Sequence, residues 1–220
     1  MAGAEQQAAR TLSLAAGVLP EHGGPKVAEA AAAAGYSHFG VTVGEDWTAA
    51  DTRAVRALMR THGLHCLDAE VIWLGERAEI TDRHRQIVAV GAELEADNLL
   101  VVSDEPDLAR TADGLHQLCE LAAPNGQRVC LEFLRITAIS RPSQALAAVR
   151  QAAHPAVGIL VDSLHLARSG EAAAILAGQS SLLPYLQLCD APANFTDDPA
   201  GLLEDALDRR SAPGEGELPL

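Results

Sequence analysis

The chain alternates short apolar runs with longer segments in which apolar residues recur every three or four positions. The short runs are typical of buried strands, and the longer segments of amphipathic helices. The predicted strands cover residues 11–19, 37–43, 64–74, 98–104, 127–133, 157–162 and 184–190. The predicted helices cover residues 24–35, 47–63, 81–96, 106–126, 141–153 and 171–179. Most strands start about 25–32 residues after the previous one, the length of a strand–helix unit that returns to a parallel neighbour.

This order of elements predicts an α/β fold, a (β/α)8 TIM barrel in which residues 1–220 form a single domain. A doubly wound sheet shows the same alternation. However, no G-x-G-x-x-G follows the first predicted strand, and the sequence contains no phosphate-binding G-x-x-x-x-G-K-S/T. The seventh strand ends near residue 190, and an eighth strand with its helices would need roughly 40–60 more residues. We therefore expect a long loop over 191–220 and a barrel truncated before its eighth strand and helix.

Charge and composition exclude several classes of partner. The net charge is −14 and Lys26 is the single lysine, so the chain lacks a basic stripe for nucleic acid. No apolar run reaches the ~18 residues of a membrane span. Residues 1–10 lack the apolar core of an export signal, and the four cysteines form no C-x-x-C pair. We expect a cytoplasmic protein without a membrane partner.

Oxygen-bearing side chains occur near the ends of three consecutive predicted strands. Glu132 lies in the fifth, Asp162 ends the sixth, and the seventh offers Gln187 and Asp190. In such barrels the active site lies at the carboxyl ends of the strands, and neighbouring strands are about 4.8 Å apart. Side chains that converge there can share one divalent ion, and oxygen ligands favour Mg²⁺ or Mn²⁺.

Other residues near these ends have two interpretations each. Asp162 is also well placed to cap the following helix. His165 is either a surface imidazole or a general acid–base group that binds substrate. Glu70 lies in the third strand, where successive side chains alternate between the two faces, so it points either into the site or away from it. Arg209 and Arg210 precede S-A-P-G-E-G-E-L and form either a solvated pair or an anion clamp beneath a tight loop.

Four segments together resemble the xylose isomerase-like TIM-barrel family, the sugar phosphate isomerases and epimerases. The segments are LEF (131–133), VDSLHLARSG (161–170), LQLCDAP (186–192) and RRSAPGEGEL (209–218). By this resemblance the metal ligands are Glu132, Asp162 and Gln187. The resemblance further implies that His165 binds or protonates substrate, that Glu132 or His165 transfers the proton, and that Arg209 or Arg210 contacts substrate.

Two features depart from the family pattern. Gln187 stands where many members have histidine, and glutamine there resembles the 3-dehydroshikimate dehydratase branch. The glutamate that follows the eighth strand in the family has no counterpart before Leu220. Glu215 and Glu217 belong to the preceding loop and do not replace it.

The leading expectation is an isomerase or epimerase that depends on a divalent metal, with Mg, Mn or Co as cofactor. Its substrate would be a small sugar, sugar phosphate or cyclic polyol acid that loses a proton next to a carbonyl. A dehydratase of the 3-dehydroshikimate type is the alternative, because both reactions share that first step. A catalytically impaired barrel that binds a metabolite is a third reading. An apurinic-site endonuclease is disfavoured by the net charge of −14. The sequence leaves open whether the chain forms a homo-oligomer.

Overall fold

The computed structural model describes residues 10–220, which contain one sheet of seven parallel strands. The strands are β1 (Ser13–Leu14), β2 (His38–Thr42), β3 (His65–Leu74), β4 (Asn98–Ser103), β5 (Arg128–Glu132), β6 (Val157–Asp162) and β7 (Leu186–Gln187). Each strand pairs with the next along the chain, in the order β1 to β7. Among the described residues β7 does not pair with β1, so the sheet is an open TIM-barrel-like wall.

Helices connect the strands. They are α1 (Gly24–Ala34), α2 (Ala49–His62), α3 (Asp82–Glu93), α4 (Leu108–Ala122), α5 (Pro142–Ala152), α6 (Ser163–Arg168) and α7 (Pro199–Leu207). Thr48 and Thr81 form capping boxes that start α2 and α3, and Gly35 and Gly63 adopt left-handed conformations that end α1 and α2. Local signals of this kind explain why these boundaries lie close to the predicted ones.

Alternate residues of the central strands face opposite sides of the sheet. One side packs against the helices and forms the main core. The other side forms a smaller apolar cluster of Leu100, Val102, Cys130, Leu134 and Leu160, with Tyr185 packed against it. Glu132 and Asp162 come two residues after Cys130 and Leu160, so they face the same inner side, one layer nearer the carboxyl ends.

The outermost strands are shorter than predicted. The strand expected over 11–19 keeps only Ser13–Leu14 before a 3-10 turn at Ala16–Val18. The strand expected over 184–190 keeps only Leu186–Gln187. Both lie at an edge of the sheet with a partner on one side only, and the alanines and glycine after Leu14 have low strand propensity.

The prediction of a helix over 171–179 is wrong. That stretch forms a 3-10 turn at Ala173–Leu176, and a short α-helix, α6, instead follows β6 directly. Gly170 and Gly178 flank the turn with φ angles of 75° and 74°, which an α-helix cannot include. The chain therefore has little room for a regular helix between them.

The prediction of a long loop over 191–220 is also wrong in part, because this segment contains α7. The Asp198 carboxylate accepts hydrogen bonds from the amides of Ala200 and Gly201, both at 3.0 Å, and Pro199 is the first helical residue. An acidic cap followed by proline is a strong helix start.

Residues 1–9, most of the segment expected to lack an export signal, lie outside the described part of the chain. Within residues 10–220, no helix is long and apolar enough to span a bilayer. The longest of the described helices, α4, has 15 residues, whereas a span needs about 20.

Candidate functional site

Two acidic side chains end neighbouring strands on the inner side of the sheet. Glu132 is the last residue of β5 and Asp162 the last residue of β6, and both are buried. His165 follows in the short helix α6. One potential ligand atom from each of these three side chains lies within 4.8 Å of the other two, so together they could hold a metal ion.

Asp162 contacts both the backbone and the site. Its Oδ1 accepts hydrogen bonds from the amides of Leu164 at 2.7 Å and His165 at 3.3 Å, which caps α6. Its Oδ2 accepts a hydrogen bond from Nη1 of Arg210 at 2.6 Å. The capping role that the sequence left open is therefore present, and it leaves Oδ2 for the site.

His165 is buried beside Asp162. Burial lowers the pKa of His165 to about 4, although the charge of Asp162 opposes the shift. Its Nε2 lies 3.2 Å from Nη2 of Arg210. A guanidinium only donates, so Nε2 accepts and the neutral ring carries its proton on Nδ1. An unprotonated imidazole nitrogen can bind a metal or accept a proton.

Gln187 lies next to Asp162 across the sheet, because the two residues are register partners between β6 and β7. Two residues earlier, the Tyr185 hydroxyl donates to Oδ2 of Asp68 at 3.0 Å, inside the barrel. Strand alternation directs Gln187 to the same inner side. Gln187 is half-buried, and its role as a metal ligand stays a prediction.

The two arginines have different surroundings. Arg210 contacts Asp162 and His165, as described, and its Nε donates to the Ala206 carbonyl at 2.6 Å. The Arg209 guanidinium donates to Oδ1 of Asn194 at 3.2 Å, in an exposed contact. The structure therefore brings one member of the pair into the site and directs the other to the surface loop.

Two further acids are buried on β3. Glu70 accepts a hydrogen bond from Oγ1 of Thr42 at 3.0 Å, and burial followed by repulsion from Asp68 raises the pKa of Glu70 to about 8. Burial raises the pKa of Asp68 to about 6, although the hydrogen bond from Tyr185 opposes the shift. The question that the sequence left open for Glu70 is answered by its burial on the inner side.

The acids fit a divalent cation. Burial, followed by repulsion from Asp162 and Glu70, raises the pKa of Glu132 well above its usual range. Among the described residues none donates a hydrogen bond to this buried carboxylate, and Arg210 opposes the repulsion only through space. Buried carboxylates need a paired charge or a metal. Carboxylate oxygens with one imidazole nitrogen are suitable donors for several divalent ions.

The Asp190 carboxylate accepts hydrogen bonds from the glycine-rich loop, residues 211–218. Its Oδ1 accepts hydrogen bonds from the amides of Ala191 and Leu218, both at 2.9 Å, and its Oδ2 accepts one from Gly214 at 3.0 Å. The backbones of Asp190 and Ser211 form an antiparallel bridge. We call these contacts of Asp190 with Ser211, Gly214 and Leu218 the Asp190 latch. It ties the loop to the chain after β7.

Sequence reasoning missed three residues near the site. Asp68 precedes Glu70 by two positions in one strand, a spacing that places both on one face and was readable. Tyr185 and Cys189 carry no local signal. Cys189 Sγ lies 3.1 Å from Nη1 of Arg210, a contact made across 21 positions of the chain.

Comparison with known proteins identifies the family of this chain. Residues 28–220 match the family model described as xylose isomerase-like TIM barrel. The chain is 31% identical over 229 aligned positions to a 3-dehydroshikimate dehydratase of Pseudomonas putida, covering 97% of this chain and 34% of that protein. This chain therefore spans about a third of the length of that relative.

Solved structures share the fold. A xylose isomerase-like TIM barrel/4-hydroxyphenylpyruvate dioxygenase fusion protein superposes with a TM-score of 0.81 at 27% identity, over 96% of this chain and 35% of that one. The IOLI protein, solved with a zinc atom, superposes with a TM-score of 0.76 at 18% identity, over 96% of this chain and 81% of that one. The family match over most of its length shows that this chain belongs to the xylose isomerase-like TIM barrel family.

Proposed function

We propose that this chain carries a metal-dependent lyase site that removes water from a cyclic hydroxyketone acid of the 3-dehydroshikimate type. The observation that carries the proposal is the convergence of Glu132, Asp162 and His165 within 4.8 Å, at the strand ends where barrel enzymes act. The name of the Pseudomonas putida relative and the glutamine at position 187 support this branch.

Glu132, Asp162 and Gln187 are the proposed metal ligands, and His165 offers a further donor. Their oxygen atoms favour Mg²⁺, Mn²⁺ or Co²⁺. The zinc atom in the IOLI structure supports a divalent ion in this fold. When bound, the ion polarises the substrate carbonyl and so acidifies the neighbouring C–H bond.

The protein's own groups would move the proton. The carboxylate of Glu132 accepts the proton from the carbon beside the carbonyl, or Nε2 of His165 does so when it does not bind the ion, since its one lone pair cannot serve both. The C–H electron pair becomes the new carbon–carbon double bond as the β-hydroxyl departs. The protonated base returns its proton to that hydroxyl, which leaves as water. The burial of His165 keeps the imidazole neutral before the reaction, so that Nε2 has a lone pair with which to accept a proton.

Arg210 would bind the substrate carboxylate. A guanidinium binds a carboxylate through two parallel hydrogen bonds, which orients the ring above the acids. Arg210 is already beside Asp162 and His165, at 2.6 Å and 3.2 Å. Substrate binding by Arg209 stays a prediction, since its guanidinium contacts Asn194.

Isomerisation or epimerisation of a sugar or sugar phosphate is the second candidate. The same acids and His165 support it, because both reactions begin with the loss of a proton beside a carbonyl. The two reactions then differ in whether the β-hydroxyl leaves as water or the proton returns to a carbon or oxygen of an otherwise intact substrate. A substrate without a β-hydroxyl in position to leave would be isomerised.

An assay with 3-dehydroshikimate and a panel of ketoses tests the proposal. The metal-stripped chain is supplied with Mn²⁺, Mg²⁺ or Co²⁺, and the aromatic product of dehydration is followed by its ultraviolet absorbance. We expect turnover of 3-dehydroshikimate that chelator abolishes. The matched control is Asp162→Asn, which retains an oxygen to cap α6 but loses the charge. Turnover of a ketose alone would favour the second candidate, and binding without turnover would favour a metabolite-binding protein.

A further inference from the structure

Arg210 places a positive charge on two groups that could bind a metal. Its Nη1 donates to Oδ2 of Asp162 at 2.6 Å, and its Nη2 lies 3.2 Å from Nε2 of His165. These contacts use the Asp162 oxygen that the helix cap leaves free and the lone pair of the imidazole. The guanidinium and a divalent ion therefore draw on the same donors.

Asp162 does not need Arg210 to keep its orientation. The amides of Leu164 and His165 hold Oδ1 at 2.7 Å and 3.3 Å, and the residue is the last one of a paired strand. Removing the guanidinium leaves these contacts in place. The remaining effect of Arg210 on a nearby cation is electrostatic repulsion, which is strong in a partly buried site.

The chain holds Arg210 at the site from outside the acid cluster. Its Nε donates to the Ala206 carbonyl at 2.6 Å, and the next residue, Ser211, exchanges two backbone hydrogen bonds with Asp190 at 2.9 Å and 2.8 Å. The other contacts of the Asp190 latch, with Gly214 and Leu218, hold the segment that follows Arg210. A side chain at Gly216 would collide with Asp190, so the latch depends on glycine there.

We propose that Arg210 is a resident cation that weakens metal binding at Asp162 and His165 until a carboxylate of the substrate engages its guanidinium, so that metal and substrate bind cooperatively. The inference rests on the proposed function, from which it takes the metal and the acidic substrate. In the structure only Nη1 of Arg210 contacts Asp162. A free carboxylate can engage two guanidinium nitrogens at once and so compete for it. Cooperativity of this kind is reciprocal.

The first test measures metal affinity alone. Mn²⁺ is titrated by calorimetry into the metal-stripped chain and into Arg210→Gln, Arg210→Lys and Arg209→Gln. We expect Arg210→Gln to bind Mn²⁺ about tenfold more tightly than the unaltered chain. Arg210→Lys keeps the charge, and Arg209→Gln removes an equal charge outside the site, so both should stay within about threefold of the unaltered chain.

The second test measures the coupling. Shikimate is the probe, because it carries a ring carboxylate and hydroxyls but lacks the ketone that reacts, and its methyl ester is the control without the charge. Shikimate should tighten Mn²⁺ binding to the unaltered chain about five- to tenfold. The ester should leave it unchanged, and Arg210→Gln should abolish the effect of shikimate.

The outcomes separate the inference from the function on which it rests. If the unaltered chain binds Mn²⁺ and Arg210→Gln binds it equally or more weakly, the inference is wrong and the proposed metal site stands. If neither the unaltered chain nor any variant binds Mn²⁺, both fail. A cooperative melt followed by circular dichroism shows that each variant is folded. Should Arg210→Gln fail to fold, equal Mn²⁺ affinities with and without shikimate in the unaltered chain would by themselves contradict the inference.

Discussion

The acids of the site and the arginine that meets them come from regions built in different ways. Glu132 and Asp162 end β5 and β6, two central strands that pair over four residues and pack against the helices. Arg210 follows α7 in a segment that the Asp190 latch joins to the sheet. The sheet holds the acids through many cooperative contacts, whereas the arginine depends on a few hydrogen bonds. The anionic half of the site should therefore resist perturbation better than the cationic half.

The largest expected effect concerns the buried acids without metal. The folded chain keeps protons on Asp68 up to about pH 6 and on Glu70 up to about pH 8, while the unfolded chain loses them near 3.8 and 4.5. The folded state thus binds more protons in this window, so its stability falls as the pH rises through it. By themselves these two groups should cost roughly 6 kcal/mol between pH 4 and pH 8 in chelator. His165, whose folded pKa of about 4 lies below its ordinary 6.5, should return about 3 kcal/mol, so we expect a net loss on the order of 3 kcal/mol.

Urea unfolding at several pH values measures this loss. The double variant Asp68→Asn/Glu70→Gln should lose this fall in stability, because its amides do not titrate. If the stability of the unaltered chain does not fall over this pH range, burial does not raise the pKa values of Asp68 and Glu70 as expected.

A smaller effect should follow from Glu132→Gln. Without metal, the variant should be about 1 kcal/mol more stable near neutral pH, because its amide avoids the cost of either charging or protonating this buried carboxyl. With Mn²⁺ at a hundred times its dissociation constant, the unaltered chain should gain about 2.7 kcal/mol and the variant little. Thermal melts with and without Mn²⁺ measure both differences. Equal metal stabilisation in the two proteins would exclude Glu132 as a ligand.

Gly216→Ala should break the region that carries Arg210. A Cβ there would meet the Asp190 carboxylate and the backbone of Ala191, which cannot both move aside. We expect a loss of about 1–3 kcal/mol in urea unfolding and faster proteolysis near the C-terminus. Gly75→Ala is the matched control, because its Cβ would meet nothing within 4 Å. Equal effects of the two substitutions would argue against the latch.

The smallest effect should come from the charge of Asp190. Its backbone hydrogen bonds, that from Leu218 above all, lower the pKa of the carboxyl below 3.8. The charge therefore stabilises the folded chain above pH 3.8, and this contribution is lost as the pH falls through the lowered folded value. The difference in stability between the unaltered chain and Asp190→Asn should be constant from pH 7 to pH 5 and should shrink below pH 4. A difference that stays constant to pH 3 would contradict this assignment.

Much of the open sheet could be predicted from the sequence, because the signals that define its strands are local. Apolar runs identified β2 to β6, and the ends of the fifth and sixth runs placed Glu132 and Asp162 at the carboxyl ends of β5 and β6. The cap that starts α7 was equally local, with Asp198 before Pro199, but its weak amphipathic pattern hid it. The failure over 171–179 has another cause, because two glycines with positive φ override the helix propensity of the alanines between them.

The sequence by itself determined which strands end in acids and that an arginine pair precedes a glycine-rich loop. It could not determine that Arg210 enters the site and Arg209 does not, nor that Asp190 holds the loop. These outcomes depend on contacts between residues far apart in the chain, such as Arg210 with Asp162 across 48 positions and Tyr185 with Asp68 across 117. Local patterns set the direction of a side chain from its own strand. Only the closed packing of distant segments decides which charges meet.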